Sequence, residues 1–121
     1  MTNHKVTIAL GSNTIDREQK VKQALNMCVS HMNINKVTQA IETEPIGIDS
    51  PMFLNQMANG TTTESLDELT SALKAIENQL GRQHGHGNAV SIDIDVMQYD
   101  DQILHSEDWQ KYYIKTLMTQ L

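Results

Sequence analysis

Cysteine is all but missing from this sequence, and so is any long apolar run. Cys28 stands alone, which excludes an internal disulfide and a cage of cysteines around a metal. No stretch approaches the ~20 apolar residues of a membrane span. Basic residues are also scarce: nine Lys and Arg face fifteen Asp and Glu, for a net charge of −6. Such a balance argues against non-specific binding to nucleic acid or to an acidic membrane surface. Only two prolines and six glycines interrupt the chain, and it carries no repeat, linker or low-complexity segment. The start, Met1 to Lys5, is polar and runs directly into a strand-like segment, so no signal peptide is expected and the cytoplasm is the expected location. In that compartment the sequon Asn59-Gly60-Thr61 is read as chance.

What is present reads as one folded domain over residues 1–121, with 39% hydrophobic and 20% charged residues. Val6, Ile8 and Leu10 alternate with Thr7 and Ala9, which predicts a strand with one strongly apolar face, broken at Gly11-Ser12-Asn13. From Asp16 the period changes, and Val21, Leu25, Cys28 and Met32 predict a helix with Cys28 as a small buried hydrophobe. A second strand is expected over Asn35 to Thr43. A turn-rich loop around Pro45, Gly47 and Pro51 follows, and Phe53 to Thr63 reads as a third strand. Ser65-Leu66-Asp67-Glu68 is a capping box opening a second helix. Its buried stripe is Leu66, Leu69, Leu73, Ile76 and Leu80, and Gly81 suits its end. Val90 to Tyr99 is expected as the fourth strand, with a short extended piece at Gln102 to Leu104 and a helix over Trp109 to Leu121. The order β-α-β-β-α-β predicts an α+β, ferredoxin-like fold: an antiparallel sheet with two helices on one face, plus a C-terminal helix. That architecture serves many chemistries.

The most informative local pattern is Val90-Ser91-Ile92-Asp93-Ile94-Asp95-Val96. The apolar residues share one face of the strand, so Asp93 and Asp95 share the other. Two like charges ~7 Å apart repel by roughly 0.6 kcal/mol in water and ~2.4 kcal/mol at an effective dielectric of 20. A strand gains nothing in stability from that, whereas a divalent cation between them removes the conflict, and magnesium prefers a few carboxylates beside waters and substrate phosphates. The bland reading is a solvated outer face; the disfavour of Asp in strands tilts against it.

Other segments bear on that choice. Ile8-Ala9-Leu10-Gly11-Ser12-Asn13, Glu42-Thr43-Glu44-Pro45-Ile46-Gly47 with Phe53-Leu54-Asn55, Ile76 to Arg82, and Ser91 to Asp95 occur in this order over residues 6 to 104. Together they resemble the opening turn, pterin loop, second-helix end and metal strand of the 6-hydroxymethyl-7,8-dihydropterin pyrophosphokinases. The resemblance implies transfer of a pyrophosphoryl group from ATP to a pterin alcohol in folate biosynthesis. Asp93 and Asp95 would hold two magnesium ions that bridge the ATP phosphates and the pterin hydroxymethyl oxygen. Arg82 would sit near the transferred phosphates. Asn55 would hydrogen-bond the pterin edge and Phe53 would stand against its ring. Thr43 and Ile46 would meet the pterin mainly through backbone groups, with Gly47 permitting the turn. A flat, amide-like ring does need a stacking surface and fixed donors and acceptors.

Competing readings stay open at this level. Phe53 also suits a core aromatic, Arg82 a helix-dipole partner, and Glu77 either a support for Arg82 or a surface charge. The segment Gln83 to Ser91 contains no Lys, Arg or Trp, where the family carries several, and the family also continues well past Leu121. Lys111 and Lys115 are the candidate replacement cations. His84 and His86 in the same segment read as solvated, with a transition-metal site as the alternative. Trp109, Tyr112 and Tyr113 read as packing for the last helix. The alternative function is a catalytically degenerate homologue acting as a pterin- or nucleotide-binding or protein-interaction domain. Oligomeric state is not legible.

Overall fold

The computed structural model describes residues 3–44, 52–81 and 91–121. The first strand, β1 (His4–Ser12), does two jobs because its side chains alternate in size. Val6, Ile8 and Leu10 are buried on one face, while Ala9 and Gly11 leave the other face low. Helix α1 (Arg17–Cys28) buries Val21, Ala24 and Cys28 on that large-residue side. It ends one turn earlier than the periodicity predicts; Met32 reaches the core from the turn beyond Cys28, whose carbonyl accepts its N–H at 3.0 Å.

The expected second strand is two pieces, β2 (Asn33–Val37) and β3 (Ile41–Thr43), both paired to the same edge of β4 (Phe53–Thr62). The break has a cause. Thr38 keeps contact with β4 through its N–H to Met57 O (2.9 Å) and its hydroxyl, which accepts the Met57 N–H (3.0 Å). The Gln39 N–H then turns away to the side-chain carbonyl of Gln120 at 2.7 Å. Gly60 lets β2 approach, since a Cβ there would stand 1.9 Å from Asn33 O.

The capping box forms as predicted: Ser65 Oγ accepts the Glu68 N–H at 3.1 Å, and Glu68 Oε1 accepts the Ser65 N–H at 2.9 Å. Helix α2 (Leu66–Gly81) then buries Leu69, Leu73 and Ile76 beside α1. Strand β5 (Asp93–Tyr99) lies on the other side of β1 and carries the two-residue β6 (Gln102–Ile103) on its outer edge. Its expected first residue, Val90, lies outside the described residues. Asp108–Gln110 forms a 3₁₀ turn and α3 spans Tyr112–Met118, so the predicted terminal helix is divided. Lys111 is extended between the two, and the Trp109 indole N–H is held by the carbonyls of Leu104 (2.9 Å) and Met97 (3.3 Å).

Among the described residues the strands run β2-β4-β1-β5-β6, with β3 also on β4, every pair antiparallel. This is the α+β, ferredoxin-like arrangement. The main core fills the face under α1 and α2; a second, smaller core of Met57, Met97, Ile114 and Leu117 lies on the opposite face under α3. Alternation along β5 places Met97 in that second core, on the face of Asp93 and Asp95, and a bulge then resets the pattern. Ile8 pairs with Val96 and Thr7 with Gln98, so Met97 is the extra residue, and Tyr99 returns to the helix side. Among the described residues no helix is long and apolar enough to cross a membrane.

Candidate active site

The site follows from the register. Asn55 on β4 pairs with Gly11 on β1, which pairs with Asp93 on β5. One step along, Met57 pairs with Ala9 and Ala9 with Asp95. Both rows lie on the face away from α1 and α2, and in both the central residue is the smallest. The result is a trough along β1 with an amide on one bank and two carboxylates on the other, about 10 Å apart across two strand spacings. A Cβ at Gly11 would stand 3.5 Å from Asn55 Oδ1, inside that trough.

The trough opens into a cavity of roughly 370 Å³. Of the residues singled out from sequence, Thr43, Phe53, Asn55, Asp93 and Asp95 all line it. Asn55 is oriented from behind, its Nδ2 donating to Thr43 Oγ1 at 2.9 Å and to Phe53 O at 3.5 Å, which turns Oδ1 toward the trough. Thr43, expected from sequence to act mainly through its backbone, also contributes a buried hydroxyl that orients Asn55. Phe53 is half-buried and, among the described residues, packs in neither core, which favours its reading as a cavity wall over a core aromatic. Arg82, Ile46, Gly47, His84 and His86 lie outside the described residues.

The carboxylates are electrostatically strained. Burial against the surrounding protein, then the neighbouring Asp95 carboxylate, push the Asp93 pKa up, with Lys74 pulling the other way. Glu77 on α2 is raised too, first by burial and then by both aspartates. Its Oε2 accepts the backbone N–H of Ile94, the residue between them, at 2.7 Å. Glu77 is thus neither exposed nor free; it grips the outer edge of the aspartate strand.

Asp95 also lines a second cavity, of roughly 390 Å³, between α2 and that outer edge. Lys74, Glu77 and Thr70 enter it from α2, and His105 faces Asp95 at 3.8 Å from the far side. His105 has φ of 52°, a left-handed conformation uncommon outside glycine, which directs the chain back over β5.

A family model described as 7,8-dihydro-6-hydroxymethylpterin-pyrophosphokinase matches residues 7–121. The chain belongs to this family. It is 32% identical over 109 residues to the 2-amino-4-hydroxy-6-hydroxymethyldihydropteridine pyrophosphokinase of Bacillus subtilis (strain 168), a match covering 87% of this chain and 65% of that protein. It is 31% identical over 124 residues to the mitochondrial folate synthesis bifunctional protein of Arabidopsis thaliana, covering 93% of this chain and 22% of that one. The corresponding protein of Pisum sativum is 38% identical over 100 residues, or 80% of this chain and 19% of its own. The chain thus spans less than two thirds of the bacterial pyrophosphokinase and about a fifth of the plant proteins.

Within this pterin pyrophosphokinase framework the structure brings two residues near the C-terminal helix to the first cavity. Tyr113 packs on the second core, as expected for a last-helix aromatic, and also lines the first cavity opposite β4. Lys111 lines it as well and is the only cation among its described residues. It bonds Asp108 at 3.0 Å, which raises its pKa and keeps it charged. Lys115 is exposed and does not line the cavity. Two basic residues four apart in an expected helix look alike in sequence; the extended Lys111 ahead of α3 separates them in the structure.

Proposed function

We propose that this chain transfers a pyrophosphoryl group from ATP to the hydroxymethyl oxygen of 6-hydroxymethyl-7,8-dihydropterin, a step of folate biosynthesis. The observation that carries this reading is the place of Asp95 on the wall shared by two cavities of different character. One offers aromatic rings at Phe53 and Tyr113 and an oriented amide at Asn55, which suits a flat pterin. The other offers Lys74 and His105 around an apolar floor of Leu73, Val96 and Leu104, which suits a nucleotide.

The donor set fits magnesium: two carboxylates on alternate residues of one strand, one with its pKa raised by burial and then by its neighbour, with room for phosphate oxygens and water. Bound there, magnesium supplies charge neutralisation on the transferring phosphates, and family resemblance suggests two ions. The rest falls to the chain. Asn55 Oδ1 accepts from the pterin edge, and Thr43 keeps that oxygen aimed into the trough. Phe53 and Tyr113 hold the ring flat, so its hydroxymethyl group points across β1 toward the aspartates. Lys111 supplies positive charge in the cavity that the aspartates line, and family resemblance suggests Arg82 as a second cation. The hydroxymethyl oxygen attacks the β-phosphorus of ATP in line with the departing α–β bridging oxygen. AMP leaves, and the hydroxyl proton passes to solvent. Such transfers depend on alignment and charge placement more than on covalent help.

The test is AMP release from ATP and magnesium, with and without the pterin alcohol, beside Asp95→Asn. Pterin-dependent AMP that disappears in the variant is the expected result. A folded protein that binds both ligands but releases no AMP overturns the catalytic reading. That outcome leaves a binding domain, the reading favoured by the uncharged segment Gln83–Ser91.

A further inference from the structure

Strand β5 is supported unequally along its two edges. On the inner side it pairs with β1 from Asp93 to Tyr99. On the outer side β6 pairs only with Gln98 and Tyr99, and Leu104 N–H adds one bond to Met97 O at 2.9 Å. Among the described residues, the stretch holding both aspartates therefore has no strand on its outer edge. Amides in an antiparallel ladder alternate between edges, and the one facing outward here is that of Ile94. Glu77 Oε2 accepts it at 2.7 Å.

An outward amide at a sheet edge is satisfied by water without help. A carboxylate is a poor choice for the task, because burial and both aspartates work against its charge. Nor does Glu77 complete a metal cage: among the described residues no three His, Cys, Asp or Glu side chains stand close enough to hold an ion. What the contact does control is direction. The Asp93–Ile94 peptide is planar, so fixing its N–H fixes the plane that carries Asp93 on one side and leads to Asp95 on the other. Helix α2 is anchored by Leu69, Leu73 and Ile76 in the main core, so it can serve as a rigid mount.

We propose that Glu77 is a positioning residue that holds the two aspartates in metal-binding orientation by gripping the amide between them. The proposal rests on the reading of Asp93 and Asp95 as a magnesium site, and it says that reach matters and charge does not. Outer supports of this kind are typically worth 10- to 100-fold in metal affinity.

Two conservative variants separate the possibilities. Glu77→Gln keeps the acceptor at the same reach without the charge; Glu77→Asp keeps the charge one methylene short. Manganese binding to the purified full chain, with an ATP analogue methylene-bridged between the α and β phosphorus atoms, is read by electron paramagnetic resonance. The expected result is a loss within about 3-fold for Glu77→Gln and about 10- to 100-fold for Glu77→Asp. In an Asp93→Asn background, the further effect of Glu77→Asp should shrink below about 3-fold, because there is less geometry left to hold. Equal binding by wild type and both variants overturns the proposal. So does a Gln variant as weak as the Asp variant, or losses that multiply in full on Asp93→Asn. Because the readout is metal binding, it is independent of turnover: a wild type that binds manganese and the analogue but releases no AMP defeats the proposed reaction alone. A wild type that binds no manganese defeats this proposal.

Discussion

The two faces of the sheet are made from the same strands and serve opposite ends. Under α1 and α2, β1 contributes Ile8 and Leu10, β4 contributes Leu54 and Ala58, and β5 contributes Ile94 and Val96, all in one apolar core. One residue over, the same strands present Ala9 and Gly11, Asn55, and Asp93 and Asp95. The first face is packed for stability. The second carries small side chains, a buried amide and like charges, none of which a fold selects for its own sake. A strand's period of two permits this division, since each face can change without disturbing the other. Among the described residues, Met57, Met97, Ile114 and Leu117 restore packing on the second face, and they form the apolar end of the cavity.

Breaking the second face should cost activity and spare the fold. Asp95→Asn is expected to lower the rate of pterin-dependent AMP release by about 10³-fold, or roughly 4 kcal/mol, with an unchanged or higher melting temperature. Breaking the first face should do the reverse. Leu69→Ala, at a position 0% exposed in the main core and lining neither cavity, is expected to cost about 2–5 kcal/mol in urea denaturation and leave the KM of the folded fraction for both substrates near wild type. Tyr113→Ala sharpens the comparison, because that residue serves core and cavity together. The expected loss is about 10-fold in KM for the pterin alcohol, with little change for ATP, and a modest fall in stability.

The smallest effect is electrostatic. Asp93 and Glu77 have raised pKa values in the folded state, so their stabilising contribution is full below the ordinary values of 3.8 and 4.5 and is lost as pH rises through the raised ones. Glu68 and Asp100, held low by Ser65 and by His4 respectively, act in the opposite sense and lose their contribution as pH falls. Comparison with Asp93→Asn isolates the first effect. Without metal, the variant's urea midpoint should exceed wild type at pH 7, and the difference should shrink toward pH 4. Magnesium with the ATP analogue should reverse it at pH 7.

Much of this was legible beforehand where the signal is local. The capping box needed only Ser65 and Glu68, the core stripe of α2 only its spacing, and the shared face of Asp93 and Asp95 only alternation. The misreadings fall where a distant contact overrides local pattern. Asn35–Thr43 reads as one strand until Gln120, far along the chain, takes the Gln39 N–H. Tyr99 reads by alternation as sharing the face of Asp93 and Asp95 until the bulge returns it to the helix side. Glu77 reads as helical surface or as a partner for Arg82, since nothing local announces that α2 leans over an unpaired strand edge. Phe53 suits core or ligand in sequence, and among the described residues it packs in neither core.

By itself, then, the sequence determined which residues alternate and where helices begin, and therefore the α+β order and the chemical character of each strand face. These are properties of neighbours within a turn or two, where covalent geometry sets which side chains share a surface. The tertiary structure alone decided that Asn55, Gly11 and Asp93 form one row and that Asp95 looks into two cavities. It also decided that Lys111, and not Lys115, reaches the site. Those facts depend on register between strands and on the docking of α2 and α3. Both are set by long-range packing and hydrogen bonding, where a shift of one residue would turn every side chain of a strand to the other face.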